Sequence, residues 1–351
     1  MKKRYLFPAD YMADPSVHVF NGRVYIYPSH DWECENVEND NGDQYVMKDY
    51  HVLSTDDIMN GEVVDHGKVI GLEDIPWAGR QLWDCDVQEY EMEVPTNAEE
   101  QAKGMGYSKK VKRYIMYFPM KDRNDVFHWG TAIAQRPEGP FIPNPAPVAG
   151  SYSIDMCAFR DDADGEVYVY FGGLWGGQLQ RYKDNIHLET PYLPEGKEDA
   201  LPSRCVRLTK DGLNFAEAPR PILVVDEKGN PLKADDPHRF FEASWMHKYK
   251  GKYYFSYSTV TAISFATLPV TTRTAPSLIR VLYLPLLWAG QLIIPSLNIK
   301  ANGICSIMTA YLQAASHGSA VSRYVRLNMM PKAASRPLRV LIRNNSSRII
   351  I

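Results

Sequence analysis

Three acidic residues occupy places where acids are uncommon. Asp14 lies in "YMADPSVHVF", Asp155 in "SYSIDMCAFR" and Glu242 in "HRFFEASWMHKY". Each is set in a mostly apolar, strand-like segment. A carboxylate is rarely buried without a partner or a task. Two carboxyl groups flanking a sugar are what glycoside hydrolysis requires, one protonated to act as general acid and one ionised to activate water. A third carboxylate nearby raises the pKa of the acid by like-charge repulsion. Taken singly, each could pair with a basic neighbour or cap a turn. As three at equivalent distances upstream of similar strands, they point to catalysis.

Candidate sugar contacts surround them. The stretch "WAGRQLWDCD" offers Trp77, Arg80, Trp83 and Asp86, and "GGLWGGQLQRY" offers Trp175 and Gln178 between glycines. Arg239 and Phe240 lie within the Glu242 segment, just ahead of the acid. Aromatic faces stack on sugar C–H surfaces, while guanidinium and amide groups bond hydroxyls; core packing is the competing role for each tryptophan. His30 and Asp31, in "YPSHDW", are placed to rim a channel, whereas His18 reads as structural. No residue set stands out as metal ligands.

One unit recurs in the elements that must position these groups. A turn residue, usually Gly, precedes an aromatic-rich strand in "FNGRVYIYPS" (20–29), "KVKRYIMYFP" (110–119), "ADGEVYVYFG" (163–172) and "YKGKYYFSYS" (249–258). Each reads as a hairpin turn entering a strand of alternating bulky residues. Helical periodicity is scarce before residue 259. Spaced, similar strand units predict an all-β chain, a β-propeller in which the innermost strand of each blade lines a central channel. A sandwich is the alternative. The polar insertion "EVPTNAEEQAKGMGYSKK" predicts an exposed hairpin loop.

Composition bounds the rest. The chain of 351 residues is 45% hydrophobic, ample for a core, and contains 22 tyrosines. A net charge of −3 gives no reason to expect nucleic acid. Five cysteines (Cys34, Cys85, Cys157, Cys205, Cys305) show no paired spacing, and "MKKRYLFPADYM" lacks an apolar signal core, so a reducing, cytoplasmic setting is expected. Val281–Leu297 is apolar but short and interrupted by Pro285 and Pro295, so no membrane span is expected.

The segments "ADPSVHVFNGRVYIYPS", "SIDMCAFRDDADGEVYVYFGG" and "FFEASWMHKYKGKYYFSYS" resemble glycoside hydrolase family 43, over roughly residues 4–258. The resemblance implies a five-bladed β-propeller acting on plant polysaccharides with inversion of configuration, as a β-xylosidase or α-L-arabinofuranosidase. By position it implies Asp14 as general base, Asp155 as pKa modulator and orienter, and Glu242 as general acid. Met156 stands where the family often has proline. An oligosaccharide is the implied partner. No cofactor is implied for the chemistry; calcium can occupy the channel in such enzymes, but the fifth-blade histidine usual beside it is lost here. A sugar-binding propeller without activity, or a retaining fructan-active relative, are the alternative readings.

The last 92 residues break the pattern. From Val260 to Ile351 there is no Asp or Glu, against 42 acids before that point and ten Lys/Arg within it. A domain boundary is therefore expected between 1–258 and 259–351, with a fifth blade lost or scrambled and a tail that is poorly ordered. A shifted reading frame accounts for this. Read one frame over, the codons of Lys300–Ala310 permit "GKWYLFYHDS", which matches "GKYYFSYS" at 251–258. Those of 266–277 permit "YATGDNPYGPF", and those of 288–296 permit "GWTTHHSI" with the histidines of a fifth blade.

Overall fold

The computed structural model describes residues 6–7, 9–58, 60–249, 251–259, 263–268 and 279–283. Asn21 and Gly22 both take positive φ (51° and 79°), a turn whose twist suits a two-residue hairpin. They join β1 (Met12–Phe20) to β2 (Arg23–Trp32), and β3 (Val46–Thr55) and β4 (Val64–Gly71) complete an antiparallel meander. In the second group, β5 (Ala78–Arg80) and β6 (Asp86–Pro95) pair with β7 (Ser108–Asp122), which continues to β8 (Phe127–Ala134) and β9 (Ile142–Pro143). The third comprises β10 (Cys157–Arg160), β11 (Val167–Phe171), β14 (Ser203–Arg207) and β15 (Arg220–Val225), with a side hairpin of β12 (Tyr182–Lys183) and β13 (Ile186–His187). The fourth runs through β16 (Glu242–Tyr249), β17 (Lys252–Ser258), β18 (Ile263–Leu268) and β19 (Ile279–Tyr283). Parallel pairing of β19 with β15 joins the last two groups into one eight-stranded sheet.

The four aromatic repeat strands are β2, β7, β11 and β17, each paired with the strand that precedes it in the chain. The strand before each, β1, β6, β10 or β16, pairs on one side only. These four lead strands pack in succession, β1 on β6, β6 on β10 and β10 on β16. Tyr27, Tyr50, Met116 and Phe118 fill the space between the first and second groups, and Trp129, Tyr152, Phe171 and Tyr257 help fill that among the later three.

The insertion expected as a loop is more regular than that. β6 and β7 stay paired out to Pro95 opposite Ser108, with cross-strand ion pairs Glu91–Lys110 and Glu89–Lys112. Its tip holds a short helix (Ala98–Ala102), started by a capping box in which Asn97 Oδ1 accepts from Glu100 N and Glu100 Oε2 accepts from Asn97 N. Among the described residues no helix is long and apolar enough to cross a membrane. The rest of the tail, including Cys305, the proposed frame-shifted repeat at 300–310 and most of Val281–Leu297, lies outside the described residues.

One buried group on β16 carries a pH consequence. His247 stacks on Tyr254 and its Nδ1 has no hydrogen-bond partner. Burial pushes its pKa down to about 4. Below the ordinary imidazole value the unfolded chain takes up a proton that the folded chain refuses. Stability is therefore full near neutrality and falls as the pH drops from about 6.5 towards 4, by up to about 3 kcal/mol. His247→Leu is expected to flatten this acid limb in urea unfolding measured between pH 7 and 4. An unchanged pH slope would contradict the assignment.

Candidate active site

The lead strands place the three acids. β1 bulges against β2 between Ala13 and Ser16, and Asp14 in that bulge has φ of 42°. β16 bulges against β17 between Glu242 and Trp245, and Ala243 has φ of 61°. Asp155 precedes β10 with φ of 61°. Left-handed backbone is uncommon for residues other than glycine, and bulges re-aim side chains next to functional sites. Asp14 and Glu242 are half-buried, whereas Asp155 is only 2% exposed. Asp155 Oδ2 accepts a 2.6 Å hydrogen bond from Ala243 N, which fixes the backbone beside Glu242. Behind Glu242, Gly173 has no room for a side chain: a Cβ would lie 2.7 Å from Ile154 and 3.4 Å from the Glu242 Cβ.

Ala13, Met47, Trp83, Phe127 and Ile154 form one buried cluster, so Trp83 shares a core with the immediate neighbours of both Asp14 and Asp155. Gly42 and Gly176 sit close over the Trp83 ring, and its Nε1 donates to Tyr45 O at 3.2 Å. Trp175 is 43% exposed, with its own φ at 52°.

Comparison with known proteins gives a consistent result. No family model matches the chain. Over 259 residues it is 60% identical to a xylosidase/arabinosidase of Bacteroides ovatus, covering 74% of this chain and 73% of that protein. Its structure resembles that of the RS223 β-xylosidase with a TM-score of 0.70 and 55% identity, covering 81% of this chain and 80% of that one. It also resembles CoXyl43, a GH43 β-xylosidase/α-arabinofuranosidase from a compost microbial metagenome, solved with xylotriose, with a TM-score of 0.68 and 42% identity over 81% of this chain and 80% of that one. The chain belongs to glycoside hydrolase family 43. It is an all-β glycosidase.

Several of the expected sugar contacts of this family 43 chain are engaged by other parts of the protein. Gln178 Oε1 accepts from Phe127 N at 2.9 Å and its Nε2 donates to Asp125 O at 2.8 Å, so the amide anchors the Trp175 turn to the second group. Phe240 is buried in the core at 5.9 Å from the Tyr257 ring. Arg239 is half-buried and donates to Asp236 O at 3.3 Å. Asp31 is half-buried at the end of β2, with its backbone N–H bonded to Tyr11 O at 3.0 Å. Arg80 bridges Asp43 and Asp125, each at 2.6 Å, and Trp77 lies against the core between the first and second groups. His18 is structural as expected: its Nε2 meets the buried Asp86 at 2.5 Å.

Two features escaped the sequence reading of this glycosidase. Lys121 is fully buried under Trp83 and Phe127, and its Nζ donates to Asn41 O at 3.0 Å. Burial pulls its pKa down to about 8 against the opposing pull of Asp125. It pins the loop that carries Gly42 over Trp83. Asp86, expected near sugar, instead accepts from Ala158 N at 2.6 Å, the same kind of bond that Asp155 makes to Ala243 N. Neither has a local sequence signal, because both partners lie far along the chain.

Proposed function

We propose that this glycosidase removes xylose or arabinose units from plant-derived oligosaccharides with inversion. Glu242 protonates the glycosidic oxygen, and Asp14 takes a proton from the water that attacks the anomeric carbon from the opposite face. The bond to the departing alcohol breaks as the new C–O bond forms, leaving a sugar of inverted configuration. Asp155 orients Glu242 through the Ala243 N–H. One observation carries this reading: Asp14 and Glu242 occupy matching bulges in two lead strands, half-buried, while the buried Asp155 grips the backbone next to Glu242. Trp83, Trp175, Asp31 and Arg239 are the proposed contacts to sugar. The xylotriose held by CoXyl43 supports the substrate class.

In this reading the four strand groups are the first four blades of a five-bladed propeller, and a changed reading frame after about Thr259 replaces the fifth. The absence of acids from Val260 onwards supports it, as does identity to the Bacteroides relative over 259 residues. The nucleotide sequence around codon 259 tests it directly. No cofactor takes part in the proposed hydrolysis. The histidine expected beside a channel calcium belongs to the fifth blade and is lost with the change of frame, since residues 288–296 of this chain contain no histidine.

Hydrolysis of aryl β-xyloside and aryl α-L-arabinofuranoside is the decisive assay, with the first-formed anomer followed by NMR. Turnover giving the inverted anomer is expected. A retained anomer would assign the chain to the fructan-active kind of chemistry. Binding of xylo-oligosaccharide without turnover would make it a sugar-binding propeller with a broken ring.

A further inference from the structure

The first strand group gathers a second cluster of titratable side chains. Asp49 and His51 stand two apart on β3, and His30 reaches them from β2. His30 Nδ1 is 2.6 Å from Asp49 Oδ1, and the His30 and His51 rings meet edge to face with centroids 4.9 Å apart. One donor atom from each of the three lies within 4.8 Å of the others. We propose that His30, Asp49 and His51 bind a divalent transition ion of the zinc type.

Two further observations support a built site. First, the other nitrogen of each imidazole already faces a carboxylate. His30 Nε2 is 3.2 Å from Asp10 Oδ2, and His51 Nδ1 is 3.1 Å from Asp65 Oδ1. Metal-binding histidines hold their remaining N–H in this way, which fixes tautomer and ring orientation. The donors are then His30 Nδ1, an Asp49 oxygen and His51 Nε2. Second, the backbone departs from a regular ladder at both histidines. β2 shifts register against β3 between Ser29 and Asp31, and β3 shifts against β4 on both sides of His51. Such bulges let residues from two strands aim at one point.

Ligands of one tetrahedral ion with bonds of about 2 Å lie roughly 3.3 Å apart, so the ion takes the place of the proton in the 2.6 Å His30–Asp49 hydrogen bond, these two groups part slightly, and the half-buried His51 ring swings in to close the set. Three protein ligands leave a fourth position open. Two nitrogen donors and one carboxylate favour Zn²⁺, Co²⁺ or Ni²⁺ over Ca²⁺, which takes oxygen ligands. His30 pairs with Met12, two residues before Asp14, so a bound ion braces the strand that carries this acid.

The test uses the full, untagged chain stripped with chelator and titrated with Co²⁺ and Zn²⁺, read by calorimetry and by the visible absorption of bound Co²⁺. One saturable equivalent is expected, unaffected by an equal concentration of Ca²⁺. His51→Gln should weaken binding at least about 100-fold, and Asp65→Asn about 10- to 100-fold, with circular dichroism unchanged. Should His51→Gln fail to fold, Asp65→Asn at the strand surface carries the comparison. Absence of a single-equivalent site in the wild-type chain, or equal affinity in wild type and the folded variants, overturns the proposal.

Discussion

Glu242→Gln is expected to lower kcat on xylobiose by about 1,000-fold, with KM changed less than about threefold. The amide keeps the size and polarity of the side chain but cannot deliver a proton to the departing oxygen. The loss should depend on the leaving group. A sugar alcohol leaves poorly without protonation, whereas a nitrophenolate leaves readily unaided. On a dinitrophenyl xyloside the deficit should therefore shrink to about tenfold or less. Equal losses on both substrates would mean that Glu242 acts otherwise than as the proton donor.

Asp14→Asn should cost as much, about 1,000-fold or more, but evenly across leaving groups. Activation of water is needed whichever alcohol departs. Asparagine tolerates positive φ better than most residues, so the backbone at φ 42° is retained and the melting temperature should move little. A variant that folds normally yet loses activity only on poor leaving groups would exchange the roles of Asp14 and Glu242.

Much of this architecture was legible because its signals are local. An Asn-Gly turn and alternating tyrosines announce β2 without reference to the rest of the chain, and "YKGKYYFSYS" does the same for β17. Asp14, Asp155 and Glu242 stood out as acids in apolar strands at a common distance from these repeats. Other features depend on contacts that no short window contains. Gln178 looked like a sugar contact between flexible glycines, yet its amide is bound by the backbone around Asp125 and Phe127, some fifty residues earlier in the chain. Phe240 neighbours Glu242 in sequence, but the core claims its ring. The His30, Asp49 and His51 cluster is assembled by register shifts, which an alternating pattern does not encode. Helix formation at Ala98–Ala102 was signalled by Asn97 and Glu100 but obscured by the surrounding polar residues.

The paired bonds of Asp86 to Ala158 N and Asp155 to Ala243 N make one joint used twice. In both, an acid at the head of one lead strand holds the second residue of the next. The two bonds tie β6 to β10 and β10 to β16 in the same way, so each fixes the spacing of successive lead strands. The residue before the clasped amide is Cys157 in one instance and Glu242 in the other. Under the proposed mechanism, that single neighbour is what separates a joint between repeats from the seat of the proton donor.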